Sequence, residues 1–381
     1  MSVEVERLTA SDYDEFIPFL NNVFTLAHGR KEDFEKFFPK MCIRDDEHMG
    51  KHLAIKKNGK IVSALGIYSL PAKVCGEDIM FSTVGNIATH PDEEGNGYMS
   101  ILINEAMREL ERIGADASRL SGARQRYNRF GYETAGWTYN FVLCPYNIKY
   151  QKPKFESDIT FVPVSASDTD YLSQMMEIYN KDHFIAYRSN HSDFYLTLLA
   201  WESRPYVAVR PNGEVVGYIS CMEDKKGITE SYAISPCVYK EMLMKWVTTN
   251  DTPTTFTLFP HMTDEMKLMY EICNDCTISS PSRFKIINWS KVVGAFLKLK
   301  STYSILPDID FVVGIENYGN IHIQCKNNVT SCTDVTNKAS ITLSPLDATR
   351  FFFDPMSLEF TEKERQALCP LPISWFSLDR V

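Results

Sequence analysis

Between Val84 and Met107 the chain reads VGNIATHPDEEGNGYMSILINEAM, and those residue types in that order can hold an anion. A β-strand that feeds a glycine-containing turn and then a helix leaves free N–H groups at the helix start, where the helix dipole also favours negative charge. Gly95 and Gly97 carry no side chains, so the backbone can come close to a pyrophosphate. Neither the GxxxxGK[ST] phosphate loop nor the dinucleotide GxGxxG is present, which disfavours a nucleoside triphosphate. Some 30 residues later comes Arg126-Tyr127-Asn128-Arg129-Phe130-Gly131-Tyr132. His90, placed before a proline at a strand end, reads as a hydrogen-bonded structural residue. Cys273-Asn-Asp-Cys276 is the one close cysteine pair, and no second pair or histidine pair follows at zinc-site spacing, so no metal is expected.

The elements that must position these residues follow from periodicity. Ser11 to Asp14 open a helix whose Phe16, Phe19, Leu20 and Phe24 recur at helical spacing. HLAIKK and KIVSALGIYSL flank Asn58-Gly59, a hairpin signature. A strand is expected from about Ile79 to Thr89 and a helix from Tyr98 to Ile113, with Ile101, Leu102, Ala106, Leu110 and Ile113 as its apolar stripe and Gly114 as its stop. The hairpin has an echo: YVAVRPNGEVVGYIS at 206–220 matches HLAIKKNGKIVSALG at 52–66 in its Ala, its Asn-Gly and its following apolar pair. A strand and helix again follow, at SYAISPCVYKEMLMKWV, without a glycine at their turn. The pattern is that of a duplicated α/β domain. Beyond Ser280-Pro281-Ser282 the chain changes character. RFKIINWSKVVGAFLK reads as a strand leading into a helix, followed by the short strands DFVVGIEN, IHIQCK and ASITLS and by helices near 347–353 and 357–369. The tail CPLPISWFSLDRV is too apolar to be solvated and is expected to pack.

The turn Glu94-Gly95-Asn96-Gly97-Tyr98-Met99 and the segment Tyr127-Asn-Arg-Phe130-Gly131-Tyr132, in that order and separation, resemble the GNAT superfamily of acyl-CoA-dependent N-acyltransferases. The wider layout resembles the enhanced-intracellular-survival (Eis-like) acetyltransferases. That resemblance implies an α/β (α+β) architecture in three parts: an active GNAT domain at 1–147, a degenerate second GNAT domain at 148–282, and a sterol-carrier-protein-like domain at 283–381 that supplies the C-terminus. It implies acetyl-CoA as co-substrate, with the backbone of Ile87, Ala88 and Thr89 pairing with the pantetheine arm. Amides of Gly95, Asn96, Gly97, Tyr98, Met99 and Ser100 would receive the pyrophosphate. Tyr127 is the implied general acid, since a phenol with an ordinary pKa near 10 can protonate a departing thiolate. The terminal carboxylate of Val381 is the implied base for the amine. The resemblance also implies a homo-hexamer. Two positions depart from the superfamily pattern: Glu94 stands where Arg or Gln is usual, and Met99 where a small residue is usual. Both are expected to lower cofactor affinity at most, because backbone N–H groups do the holding.

Composition narrows the partners. The 381 residues carry 40 Lys plus Arg against 49 Asp plus Glu, a net charge of −9, which disfavours nucleic acid and tolerates a cationic substrate. No run approaches the ~20 apolar residues of a membrane span, and the acidic start does not resemble a secretion signal. The ten cysteines are scattered, as expected of buried thiols in a cytoplasmic protein. The expected activity is transfer of an acetyl group from acetyl-CoA to a primary amine, an aminoglycoside-like or other cationic amine among the acceptors. The alternative is a non-catalytic acyl-CoA-binding or sensing protein.

Overall fold

The computed structural model describes residues 4–150 and 158–380; Val381 lies outside the described residues. The first sheet is built on β2 (His52–Lys57), β3 (Lys60–Val74) and β4 (Glu77–Thr89). The Asn58-Gly59 turn joins the first two, with φ of 53° and 77° as a tight hairpin demands. β1 (Glu6–Arg7) pairs with β2, and β5 (Ala117–Leu120) runs parallel to β4. The helix Tyr13–His28 covers one face through Phe16, Ile17, Leu20 and Val23, and the helix Tyr98–Arg112 covers the other through Leu102, Ile103, Ala106 and Leu110.

Two strands from elsewhere in the chain complete this sheet. β15 (Arg283–Ile286) inserts between β5 and the short β6 (Glu133–Thr134), and β9 (Phe184–Ala186) pairs with the end of β3. The expected divisions at 147 and 282 are therefore crossed by hydrogen-bonded strands. β7 (Thr138–Leu143) likewise lies between β13 (Thr254–Leu258) and β14 (Asp275–Ser279).

The echo in the sequence corresponds to a repeated structure. β8 (Thr160–Pro163), β10 (Ser203–Val209), β11 (Val215–Met222) and β12 (Ile228–Ala233) pair in the same succession as β1 to β4, and the helix Pro236–Asn250 follows β12. The Ser235 side chain accepts a bond from the Val238 N–H and Pro236 occupies the first turn, so this helix start is already capped. The third unit is a four-stranded sheet, β16 (Ile309–Ile315), β17 (Gly319–Lys326), β18 (Val329–Val335) and β19 (Ile341–Leu343), with the helices Trp289–Tyr303 and Pro345–Phe353.

One apolar core ties the three units together. It joins Leu70, Val74 and Phe81 of the first sheet, Phe184 and Phe259 of the second unit, and Phe296, Phe353, Ile373, Trp375 and Phe376 of the third. The apolar tail packs here as its composition requires: the Trp375 ring meets Phe81 edge-on at 5.7 Å, and Phe376 lies 4.8 Å from Phe184. Among the described residues no helix is long and apolar enough to cross a membrane. Replacing Trp375, 2% exposed, by Ala is expected to cost ~3–5 kcal/mol; chemical denaturation followed by fluorescence and circular dichroism would show both signals shifting together.

Candidate active site

The site begins where two parallel strands part. β4 and β5 share three register pairs, ending at Thr83 with Arg119. Beyond this point β4 continues from Val84 to Thr89 with a partner only on its β3 side. A bulge bends it there: the register shifts opposite Ala64 and Gly66, and Asn86 takes φ 53°. A buried polar network fixes the bulge. The Tyr68 hydroxyl accepts from Asn86 Nδ2 at 2.9 Å and lies 2.7 Å from His52 Nε2. His52 Nδ1 faces the Met49 carbonyl at 3.2 Å. A carbonyl can only accept, so Nδ1 carries the proton and Nε2 accepts from Tyr68. Burial drives His52 down to about 4 and holds the Tyr68 phenol far above its ordinary value.

Ile87, Ala88 and Thr89 form the end of the freed stretch, and the turn follows directly. His90 Nδ1 accepts from the Asp92 N–H at 3.3 Å, which confirms its structural role. Lys57 Nζ pairs with Glu93 at 2.7 Å, and Asn96 Nδ2 donates to the Glu93 carbonyl and carboxylate at 3.0 Å each. Gly97, with φ 78°, is the N-cap of the Tyr98–Arg112 helix; no side chain caps that helix and its first turn holds no acid. A Cβ on Gly95 or Gly97 would meet nothing within 4 Å, so the turn is an open cradle of backbone amides. Such a cradle of amides suits an anion such as a pyrophosphate, and the free edge of β4 suits an extended amide-bearing arm.

The two departures from the superfamily pattern have physical explanations. Met99 packs against the apolar cluster of Val84, Leu102 and Tyr127, away from the cradle, so its size is absorbed by the core. Glu94 is exposed and pairs with no cation among the described residues. A compensating cation was not legible beforehand: Arg129 Nη2 donates to Ser100 Oγ at 2.9 Å and is exposed, with no carboxylate partner among the described residues. The YNRFG segment thus sets a guanidinium against the helix start, where it attracts a phosphate.

Tyr127 ends the short helix Arg124–Tyr127 and is buried in the same cluster as Val84, with Ile87 and Tyr98 packed at its edge. Its ring closes on Gly122, where a Cβ would come 2.7 Å from Cε2. Burial raises its pKa, against a smaller opposing effect of Arg126, so the phenol is protonated at neutral pH. Of the sequence-expected residues, Ile87, Tyr98 and Met99 thus pack against the cluster that holds Tyr127. The base expected at Val381 lies outside the described residues. Of the residues before it, Leu378 and Asp379 line a cavity of about 850 Å³ together with Phe38, Lys40, Tyr68, Thr83 and Asp193. Asp379 is buried, its Oδ2 has no hydrogen-bond partner, and desolvation raises its pKa against the pull of Arg188 at 3.6 Å and Lys40 at 4.0 Å. Cys273 and Cys276 are free, and no metal-holding cluster exists among the described residues.

Comparison with known proteins agrees with this geometry. A family model described as an acetyltransferase (GNAT) domain matches residues 4–135. No curated protein matches the sequence. A GCN5-related N-acetyltransferase from Anabaena variabilis shares the fold at TM-score 0.68 and 13% identity over 98% of both chains. One from Kribbella flavida does so at 0.65 and 14%, over 92% of this chain and 89% of that one. Eis1 from Mycobacterium abscessus does so at 0.61 and 13%, with the same coverage.

Two expectations test the site. Gly97→Trp is expected to abolish acetyl-CoA binding in calorimetry, because its ring fills the cradle. For His52, the folded pKa lies below the unfolded value, so only the unfolded chain takes up a proton between pH 6.5 and about 4. Stability from its neutral burial is present above 6.5 and is lost, by up to roughly 3 kcal/mol, as pH falls toward 4. His52→Gln should flatten that slope in unfolding curves measured across the window. Residues 4–135 match an acetyltransferase (GNAT) domain, and the chain as a whole shares its fold with solved GCN5-related N-acetyltransferases.

Proposed function

We propose that this protein is an N-acetyltransferase that moves the acetyl group of acetyl-CoA to a primary amine by direct attack. The observation that carries this reading is the packing of a buried, protonated tyrosine in one cluster with residues of an uncapped glycine turn and a freed strand edge. Acetyl-CoA supplies the activated thioester. The backbone of Ile87–Thr89 and the amides of residues 95–100 hold and orient it, with Arg129 beside the phosphates. Tyr127 gives its proton to the departing thiolate. The amine enters from the neighbouring cavity, where Asp46, Glu47, Glu109, Asp193 and Asp379 stand among Arg7, Lys40, Lys51 and Arg112.

A carboxylate must then take the amine's proton. The Eis-like resemblance assigns that task to Val381. Among the described residues Asp379 suits it best, since a raised pKa makes a carboxylate a stronger base. The apolar tail supports a role for the third unit in carrying residues 377–380 to the cavity, as the sterol-carrier-like domain does in the Eis-like layout. The serine-capped start of the Pro236 helix supports reading the second unit as one that does not bind the cofactor.

Tyr127→Phe separates an enzyme from a non-catalytic acyl-CoA sensor. The expected result is a kcat lowered by ~10²-fold or more, with calorimetric affinity for acetyl-CoA kept within about twofold. Equal loss of binding and turnover would assign Tyr127 to packing alone.

A further inference from the structure

The second unit repeats the strand parting of the first. β12 and β13 touch through one parallel bridge, Gly227 with Thr255. Beyond it β12 pairs only with β11, as β4 beyond Thr83 pairs only with β3. Past the ends of these two strands lies a cavity of about 610 Å³, within the roughly 300–1,000 Å³ of small-molecule sites. Its wall runs from Tyr232, near the end of β12, past the Ser235 cap to the stretch His261–Glu265 that follows β13. Residues 301–305, at the end of the helix Trp289–Tyr303, complete it from the third unit. It shares no lining residue with the cavity of Asp379.

One buried side chain on this wall has a ring nitrogen unused. His261 is 9% exposed, and its Nδ1 has no hydrogen-bond partner. Its Nε2 lies 2.7 Å from Oδ1 of Asp182, a residue of the same wall. A carboxylate can only accept, so Nε2 carries the hydrogen and the neutral ring keeps Nδ1 as a bare acceptor. The Phe259 ring stacks on the imidazole at 5.9 Å and holds it in place. A buried acceptor without a donor is costly, and a ligand N–H removes that cost.

The charge of the wall asks for the same kind of ligand. Asp182, Asp264 and Glu265 stand beside one cation, Lys181, which is exposed and pairs with none of them. Glu265, four residues after His261, is half-buried and makes no ion pair among the described residues. Burial raises its carboxyl and its own backbone N–H opposes this, while Asp182 and Asp264 raise it further. The helix Trp289–Tyr303 also turns the negative end of its dipole toward this place. No cluster of side chains among the described residues could hold a metal ion, so the cation that fits is an organic one that donates hydrogen bonds.

We propose that this cavity is a second binding site, for a small organic ammonium ion such as a polyamine, with His261 Nδ1 and the Glu265 carboxylate accepting from its N–H groups. The glycine turn of the first unit suits an anion. At the matching place in the second unit Ser235 already takes a helix amide, and the acids suit a cation instead. The site lies apart from the residues assigned to acyl transfer and does not rest on that reading.

The test is calorimetry on the full chain with spermidine, butylammonium, butyrate and magnesium chloride as separate probes. The expected result is binding of the two amines, with the spermidine Kd raised roughly tenfold or more in Glu265→Gln, as for loss of a hydrogen bond to a charged group. His261→Gln keeps an amide donor toward Asp182 but lacks Nδ1, and should weaken spermidine to a similar degree. Glu265→Gln decides alone if that variant does not fold. Both should keep the wild-type affinity for acetyl-CoA. Spermidine affinity unchanged in either folded variant overturns the site, because the amine then sits elsewhere, the cavity of Asp379 included. Binding of butyrate in place of the amines overturns it, and is the result of a protonated ring that offers Nδ1–H. Binding of magnesium alone, or of no probe, overturns it too. Turnover enters none of these readouts, so their failure leaves the acyltransferase reading standing.

Discussion

The parting of β4 from β5 after Thr83 is the constraint on which the rest depends. Below that point, Phe81 and Ala117 are clasped in the core that unites the three units. Above it, the Asn86 bulge, held by Tyr68 and His52, carries β4 away from its neighbour. An unpaired strand edge is ordinarily a liability. Here it is short, interior to the sheet, and walled by the Tyr127 cluster, so another chain cannot readily pair with it. The glycine turn gains its position from the same divergence, since it begins where the freed strand ends.

Charge is sorted to match. On the side of the Tyr98–Arg112 helix, amides and Arg129 face outward with no acid in the first turn, a surface suited to phosphates. The cavity mixes Asp379 and Asp193 with Lys40, while Arg188 pairs with Glu230 at 2.7 Å.

Much of the local structure was legible in the sequence because it is written in local physics. The Asn-Gly hairpins, the strand ending at Thr89 and the helix from Tyr98 all occur where periodicity and turn chemistry placed them. The strand Val329–Val335 was not foreseen, since its residues are largely exposed and polar and show little apolar alternation. The partners of β15 and β9 were not legible at all, because strand pairing across more than a hundred residues leaves no mark on spacing. The same applies to the site. Tyr127 and the glycine turn were legible through their motifs, whereas Arg129 on Ser100 and Asp379 in the cavity arise only from tertiary folding.

The insertion of β15 between β5 and β6 also bears on how the protein is made. Arg119 and Ser282, which touch in the finished sheet, are 163 residues apart. At ribosomal speeds, on the order of ten seconds separate the emergence of β5 from that of its neighbour. During that interval the nascent first unit holds every residue of its glycine turn and its tyrosine, yet one flank of its sheet has nothing to bond with. Completion of the cleft is therefore timed by translation of the last third of the chain, and the part that carries the chemistry is among the last to become whole.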